Sequence, residues 1–335
     1  MQDNSNTNIS IIIPMYNVEK YLNKCVASVY EQNFKPGTFE IIMVNDESPD
    51  NSLEVANKLA LKHDAIKIIS QKNKGLGGAR NTGIENAIGR FLVFLDADDW
   101  LIPNTVNDII EIATKNNLDV LEFGAHRVSE DHAIISSSSK SSHGKIYNGV
   151  DYYNKIKYAG SACNKLYSNQ FLKVNNLRFL EKIYGEDFEF NTRIFYCAKK
   201  VMAVKNICAA FLNSSNSITR NKDRSMKDKY LNDFITILSS IKSFQTKNQQ
   251  LPPIKSSDLF FKERFAMVNI NAFYLMFKNN YSYRDMRKYR TKLIDKGLFQ
   301  VSYSVSNKKK DLFRKVLLKN FYLLKVVLPI KNITK

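Results

Sequence analysis

Three clusters of side chains have the types and spacing to do chemistry. Asp96-Ala97-Asp98 directly follows the apolar run Phe91–Leu95. Hard divalent cations such as Mn²⁺ or Mg²⁺ prefer carboxylate oxygens and take one or two from protein, the rest from phosphates. A cation held there would stabilise charge developing on a departing diphosphate; the alternative is an acidic strand-to-helix turn capping a helix near Pro103-Asn104. Asn73-Lys74-Gly75-Leu76-Gly77-Gly78-Ala79-Arg80 is a glycine-rich loop entering a helix. It lacks P-loop spacing, and Arg80 stands where the third glycine of GxGxxG would be, which argues against dinucleotide and ATP sites of those kinds. Helix-start amides with Arg80 could hold a phosphate, or Arg80 could pair with a nearby aspartate. Gly185-Glu186-Asp187-Phe188-Glu189-Phe190 puts paired carboxylates at a helix start, either complementing the helix dipole or supplying a general base for an acceptor hydroxyl.

These clusters need a scaffold, and the first 125 residues describe one. Ile9–Ile13, Glu40–Val44, Ile66–Ile69 and Phe91–Leu95 are short, largely uncharged runs, as expected of strands buried on both faces of a parallel sheet. Helical stretches are expected between them at about 19–32, 51–63 and 79–88; in the first, Tyr21, Leu22, Cys25, Val26 and Val29 form one apolar face. The alternation predicts a doubly wound α/β sheet. Ligands of such sheets bind beyond the carboxyl ends of the strands. There the sequence places Pro14-Met15-Tyr16-Asn17, then Asn45-Asp46-Glu47-Ser48, then Asp96-Ala97-Asp98-Asp99. Gathered like charges repel unless a cation or donors offset them, so the clustering points to function. Ser136–Ser139 and Ser141-Ser142 mark 126–150 as a loop or mobile flap. From about 226 the pattern is helical, at 226–247, 257–279, 283–296 and 308–325, punctuated by Pro252-Pro253 and Gly297.

Taken together, Ile11-Ile12-Ile13-Pro14-Met15-Tyr16-Asn17, Val44-Asn45-Asp46-Glu47-Ser48, Asn73-Lys74-Gly75, Ala79-Arg80-Asn81-Thr82-Gly83, Phe94-Leu95-Asp96-Ala97-Asp98-Asp99, Cys163-Asn164-Lys165-Leu166-Tyr167 and Gly185–Phe190 resemble a family 2 glycosyltransferase. The type is that of bacterial capsule, cell-wall and lipopolysaccharide assembly. The resemblance covers residues 8 to about 220. It implies the GT-A fold, a Rossmann-like, mostly parallel sheet flanked by helices, over 1–220, with 221–335 left as a helical region. By position it implies that Pro14, Tyr16, Asn17 and Asp46 line a nucleoside pocket, usually for uridine. Arg80 would approach the diphosphate, Asp96 and Asp98 would be the Asp-x-Asp metal pair, and Asp187, with Glu186 beside it, would be the catalytic base. The implied reaction is a metal-dependent single displacement with inversion, from a UDP-sugar to a glycan or lipid-linked acceptor. Two positions depart from the family: Glu47 replaces the usual glycine of Asp-Gly-Ser, whose backbone freedom it lacks, and Cys163 replaces a residue that is commonly aromatic. Lys165 could meet a phosphate or be structural.

Composition narrows the alternatives. The chain has 335 residues, 44% hydrophobic and 24% charged, ordinary for a globular protein. Four spread cysteines form no CxxC pair, and four scattered histidines disfavour a histidine metal site. Met1–Asn6 lacks the order of a secretory signal, and no transmembrane run is seen, so a cytoplasmic protein is expected. Net charge is +18, but residues 1–125 carry 11 Lys and Arg against 17 Asp and Glu. A basic remainder favours an anionic partner. No nucleic-acid-binding motif accompanies it, so specific nucleic-acid binding is not expected. Residues 308–335 hold nine Lys or Arg and one acid. Leu312, Phe313, Val316, Leu317, Phe321 and Leu324 recur there at helical spacing, with Arg314, Lys315 and Lys319 on other positions. Such a helix either lies on an anionic membrane or packs on its own domain or a partner subunit in an oligomer. Another metal-dependent nucleotide-sugar enzyme, such as a nucleotidyltransferase, would share the sheet and carboxylates, but the chain lacks its N-terminal glycine- and lysine-rich phosphate loop.

Overall fold

The computed structural model describes residues 7–213, 223–248 and 255–333. Met1–Asn6, Pro252-Pro253 and the last two residues of the basic tail lie outside the described residues. The chain divides into two compact units, Met1–Asn221 and Lys222–Lys335.

The first unit runs β1 (Ile9–Met15), α1 (Leu22–Tyr30), β2 (Phe39–Asn45), α2 (Ser52–Ala60), β3 (Ile66–Ser70), α3 (Gly75–Asn86), β4 (Phe91–Phe94), β5 (Trp100–Leu101), α4 (Val106–Asn116), β6 (Val120–Val128), β7 (Ile134–Ser138), α5 (Gly149–Lys155), β8 (Lys165–Ser168), α6 (Asn169–Val174), α7 (Glu186–Cys197) and β9 (Val201–Leu212). The strands form one sheet in the order β3-β2-β1-β4-β8-β6-β9-β5, with β7 paired to β6. The expected parallel block is β3-β2-β1-β4; β8 then runs antiparallel to both β4 and β6, while β9 is parallel to β6. Every residue of β1 is buried, so an uninterrupted apolar run there is what burial on two faces requires. Strand order reverses between β1 and β4, the kind of switch point beside which ligand crevices open.

Helix α3 begins at Gly75, several residues before the expected 79, and takes in the glycine-rich loop. Glycine inside a helix costs about 1 kcal/mol relative to alanine. Here packing demands it. A Cβ on Gly83 would sit 2.3 Å from Ile12 of β1, and one on Gly77 would sit 2.3 Å from the Leu180 carbonyl. The helix therefore lies hard against β1 on one side and the segment before α7 on the other.

The reading of 126–150 as a loop or flap is corrected. His126–Val128 ends β6, and Ile134–Ser138 is a strand paired antiparallel to it. All five residues of β7 are exposed, so its serines are strand residues on a solvated edge, where no apolar alternation is imposed.

The second unit comprises α8 (Arg224–Asn248), α9 (Lys255–Lys278), α10 (Tyr283–Asp295), α11 (Lys308–Phe313) and α12 (Leu324–Ile333). A capping box between Ser282 and Asp285 starts α10. The single helix expected over 308–325 is broken: a π-helical stretch, Arg314–Leu318, and a 3₁₀ turn, Phe321–Leu323, separate α11 from α12. Packing explains the break. Phe313 sets its ring against Tyr274 and Phe277 of α9, at 5.4 and 5.1 Å, and Phe321 against Phe273 and Tyr283, both at 5.8 Å. Arg314, expected among the polar positions, is buried instead, bound to Asp311 at 2.8 Å and to the Val301 and Ser302 carbonyls. Among the described residues no helix is long and apolar enough to cross a membrane.

Candidate active site

The site is built at the carboxyl ends of β1, β2 and β4 and the start of α7. At the end of β2 the buried Asp46 carboxylate accepts hydrogen bonds from the Lys74 amide (2.8 Å) and the Gln71 side chain (2.7 Å). It thereby fixes the approach to α3. Glu47 adopts φ 61°, the left-handed conformation that the family's glycine would take without strain. The cost is about 1–2 kcal/mol, and its carboxylate accepts from the Asn73 amide at 3.1 Å, which partly offsets it. Pro14 is buried within β1 and paired with Val44, Tyr16 is 53% exposed, and Asn17 also has a positive φ of 57°. An exposed ring beside a strand end is free to stack on a planar ligand.

Arg80 is the centre of the second part. Its side chain is 1% exposed. Nη1 donates to Glu186 at 3.0 Å and Asp187 at 2.7 Å; Nη2 donates to Asp96 at 2.8 Å and lies 3.6 Å from the Cys163 sulfur. All four terminal N–H directions are thus taken. The pairing alternative is the one the geometry displays. Cys163 is buried against this guanidinium. The structural reading of Lys165 likewise prevails: fully buried, its ammonium donates to the Ala159 and Ser161 carbonyls and to Asn164. It shapes the loop whose Ala162 amide donates to Asp187 at 3.0 Å.

The carboxylates are not equivalent. Asp96 and Asp187 keep 30% and 25% of their side-chain surface open to solvent, Glu186 only 10%. Burial, then the Asp187 charge, push Glu186 up to about 7 in spite of Arg80. Burial and the neighbouring Asp96 raise Asp98 to about 6. Burial, then Asp98 and Asp96, raise Asp99 as well, and its carboxylate accepts from the Leu212 amide at 2.8 Å.

Among the described residues no three His, Cys, Asp or Glu side chains form a ready cation cage. The neighbouring Asp96 and Asp98 nevertheless fit a hard cation that would complete its shell with phosphate oxygens, since such a cation would relieve their repulsion. The structure thus brings Arg80, Asp96, Glu186 and Asp187 together within hydrogen-bond reach, with Asp98 alongside. Pro14, Tyr16, Asn17 and Asp46 form a separate group at the ends of β1 and β2. Gln71 went unnoticed in the sequence although it directly follows β3, the one strand of the parallel block whose next residue was passed over. The Ala162 amide carries no side-chain signal at all.

A family profile described as "Glycosyl transferase family 2" matches residues 10–174. The chain is 30% identical over 229 residues to the uncharacterized glycosyltransferase EpsJ of Bacillus subtilis, covering 67% of this chain and 66% of that one. It is 28% identical over 234 residues to the UDP-Glc:alpha-D-GlcNAc-diphosphoundecaprenol beta-1,3-glucosyltransferase WfgD of Escherichia coli, covering 68% of this chain and 86% of that one. The chain spans about two thirds or less of the length of several such relatives. Among solved structures, the Staphylococcus aureus TarS 1–349 complex with UDP superposes with a TM-score of 0.60 at 21% identity, covering 78% of this chain and 71% of that one. That likeness speaks to the fold, GT-A.

Proposed function

Because the chain belongs to glycosyltransferase family 2, we propose that it transfers a sugar, with inversion, from a UDP-linked donor to a hydroxyl of a glycan or lipid-linked glycan in cell-surface polysaccharide synthesis, working from the cytoplasm. WfgD, by its name, uses UDP-glucose and a diphosphoundecaprenol-linked acceptor, and TarS binds UDP. The observation that carries the reading is one buried guanidinium holding Asp96 of the strand-end cluster on one side and the Glu186–Asp187 pair on the other.

In this reading Pro14, Tyr16, Asn17 and Asp46 receive the nucleoside, with Tyr16 offering its exposed ring. Asp96 and Asp98 hold Mn²⁺ or Mg²⁺, which when bound supplies charge neutralisation for the leaving diphosphate. Asp187 takes the acceptor hydroxyl proton as the new oxygen–carbon bond forms and the carbon–phosphate-oxygen bond breaks on the opposite face. Arg80 and the Ala162 amide hold Asp187 in orientation, one on each carboxylate oxygen.

The test is nucleotide release from a panel of UDP-sugars with Mn²⁺, comparing wild type with Asp98→Asn. Metal-dependent UDP release from one donor, lowered about 10²- to 10³-fold in the variant, is expected. Pyrophosphate release from UTP and a sugar 1-phosphate, with no UDP release from any UDP-sugar, would mean nucleotidyl transfer, and absence of nucleotide binding would defeat the reading.

A further inference from the structure

The tail's inner face is filled, and its outer face has a distinct composition. Phe313, Leu317, Leu318, Phe321, Leu324 and Leu328 are buried within the second unit. The membrane-facing set expected from sequence is therefore largely used up in packing. Two members of that set stay outside, Leu312 at 63% and Val316 at 45% exposed, and Tyr322 at 68% and Val326 at 59% join them. Exposed lysines 315, 319 and 325 interleave with them, and lysines 308 and 309 extend the series. The segment's one acid, Asp311, is turned to Arg314 and Lys315. Leu312 lies in α11, Val316 in the π-helical stretch, Tyr322 in the 3₁₀ turn and Val326 in α12, so each element of the broken tail turns an apolar side chain to solvent.

We propose that this outer face of residues 308–326 docks on an anionic lipid surface, Leu312, Val316, Tyr322 and Val326 entering the headgroup boundary while the lysines meet lipid phosphates. Charge alone would also suit a soluble polyanion, but a polyanion gains nothing from exposed leucine, valine and tyrosine. Lipid rewards both. Lysine stems lie along apolar surface and keep their ammonium heads at the phosphate level, and tyrosine favours the same boundary. The second unit as a whole carries 25 Lys and Arg against 8 Asp and Glu, so the field around this face is attractive to anionic lipid. The docking would bring the enzyme to a lipid-linked acceptor, and for that purpose it rests on the acceptor reading above.

The full chain is sedimented with vesicles of phosphatidylcholine alone and with added phosphatidylglycerol. Binding to the second only is expected. It should fall about tenfold or more in the variant Lys315→Glu/Lys319→Glu/Lys325→Glu, and also in Leu312→Ser/Val316→Ser/Tyr322→Ser/Val326→Ser. Circular dichroism and the unfolding midpoint check that both variants stay folded. Full binding by the serine variant, or capture by soluble polyphosphate that both vesicle types fail to match, would replace the lipid surface with a polyanion and overturn the proposal, as would no vesicle binding. UDP release measured without vesicles reads the catalytic reading independently, and both tail variants should keep it.

Discussion

The two units treat charge in opposite ways. Met1–Asn221 is nearly neutral, with 25 basic against 24 acidic residues, whereas Lys222–Lys335 carries a balance of +17. In the first unit the charges that matter are buried and answer one another: a guanidinium with 1% exposure faces three carboxylates. In the second they are mostly exposed lysines and arginines, such as Arg284, Arg287, Lys288 and Lys292 along α10. A buried charge is part of the fold, because removing its partner leaves a desolvated ion behind. An exposed charge contributes little to folding and stays available to a partner.

Four experiments sharpen or break this contrast. The largest effect is expected from Asp187→Asn: sugar transfer should drop about 10²- to 10⁴-fold with UDP binding retained. Normal turnover by a folded variant would remove Asp187 as the base. Next, Arg80→Met should destabilise the first unit by about 3–5 kcal/mol in denaturant unfolding, since three carboxylates lose their counter-ion. An unchanged midpoint would show that the cluster does not depend on Arg80. Third is a pH effect. Glu186 sits above the usual carboxylate range in the folded chain, at about 7. Its contribution to stability is therefore fully present below about 4.5 and is lost as pH rises through about 7. Glu186→Gln should flatten that decline, a gain of roughly 1–3 kcal/mol near pH 8; parallel stability–pH curves for the two proteins would contradict it. The smallest effect belongs to the second unit, where Lys315→Gln/Lys319→Gln should move stability by less than about 0.5 kcal/mol. A larger loss would mean that these exposed lysines are structural after all.

The strands and their ends were readable because burial writes itself into composition: Ile11-Ile12-Ile13 and Phe91–Leu95 can only be interior. Helix α3 was read late because Gly75, Gly77 and Gly78 look like loop, and only the neighbours that crowd Gly77 and Gly83 reveal why glycine serves there. Strand β7 escaped because an exposed edge imposes no alternation. The carboxylates of the site were legible as types at strand and helix ends. Their convergence was not: Arg80 is 106 residues from Glu186, and no local pattern encodes a contact of that range. The tail was misjudged as one continuous amphipathic helix because periodicity reports an apolar stripe without saying whether protein or another surface covers it.

The chain's sulfur chemistry is quiet. All four cysteines are free; Cys25, Cys163 and Cys208 are buried and Cys197 is partly so. Burial raises every thiol, Cys197 to about 11 and Cys208 to about 12, with Cys25 and Cys163 also well above normal. Thiolate is the species that reacts with alkylating dyes, so near neutral pH the native cysteines are poor targets. A cysteine introduced at an exposed position such as Val326 would be labelled far faster than any of them. One fluorophore could then be attached without deleting a native thiol, and its emission would follow the tail as it passes from water to another medium.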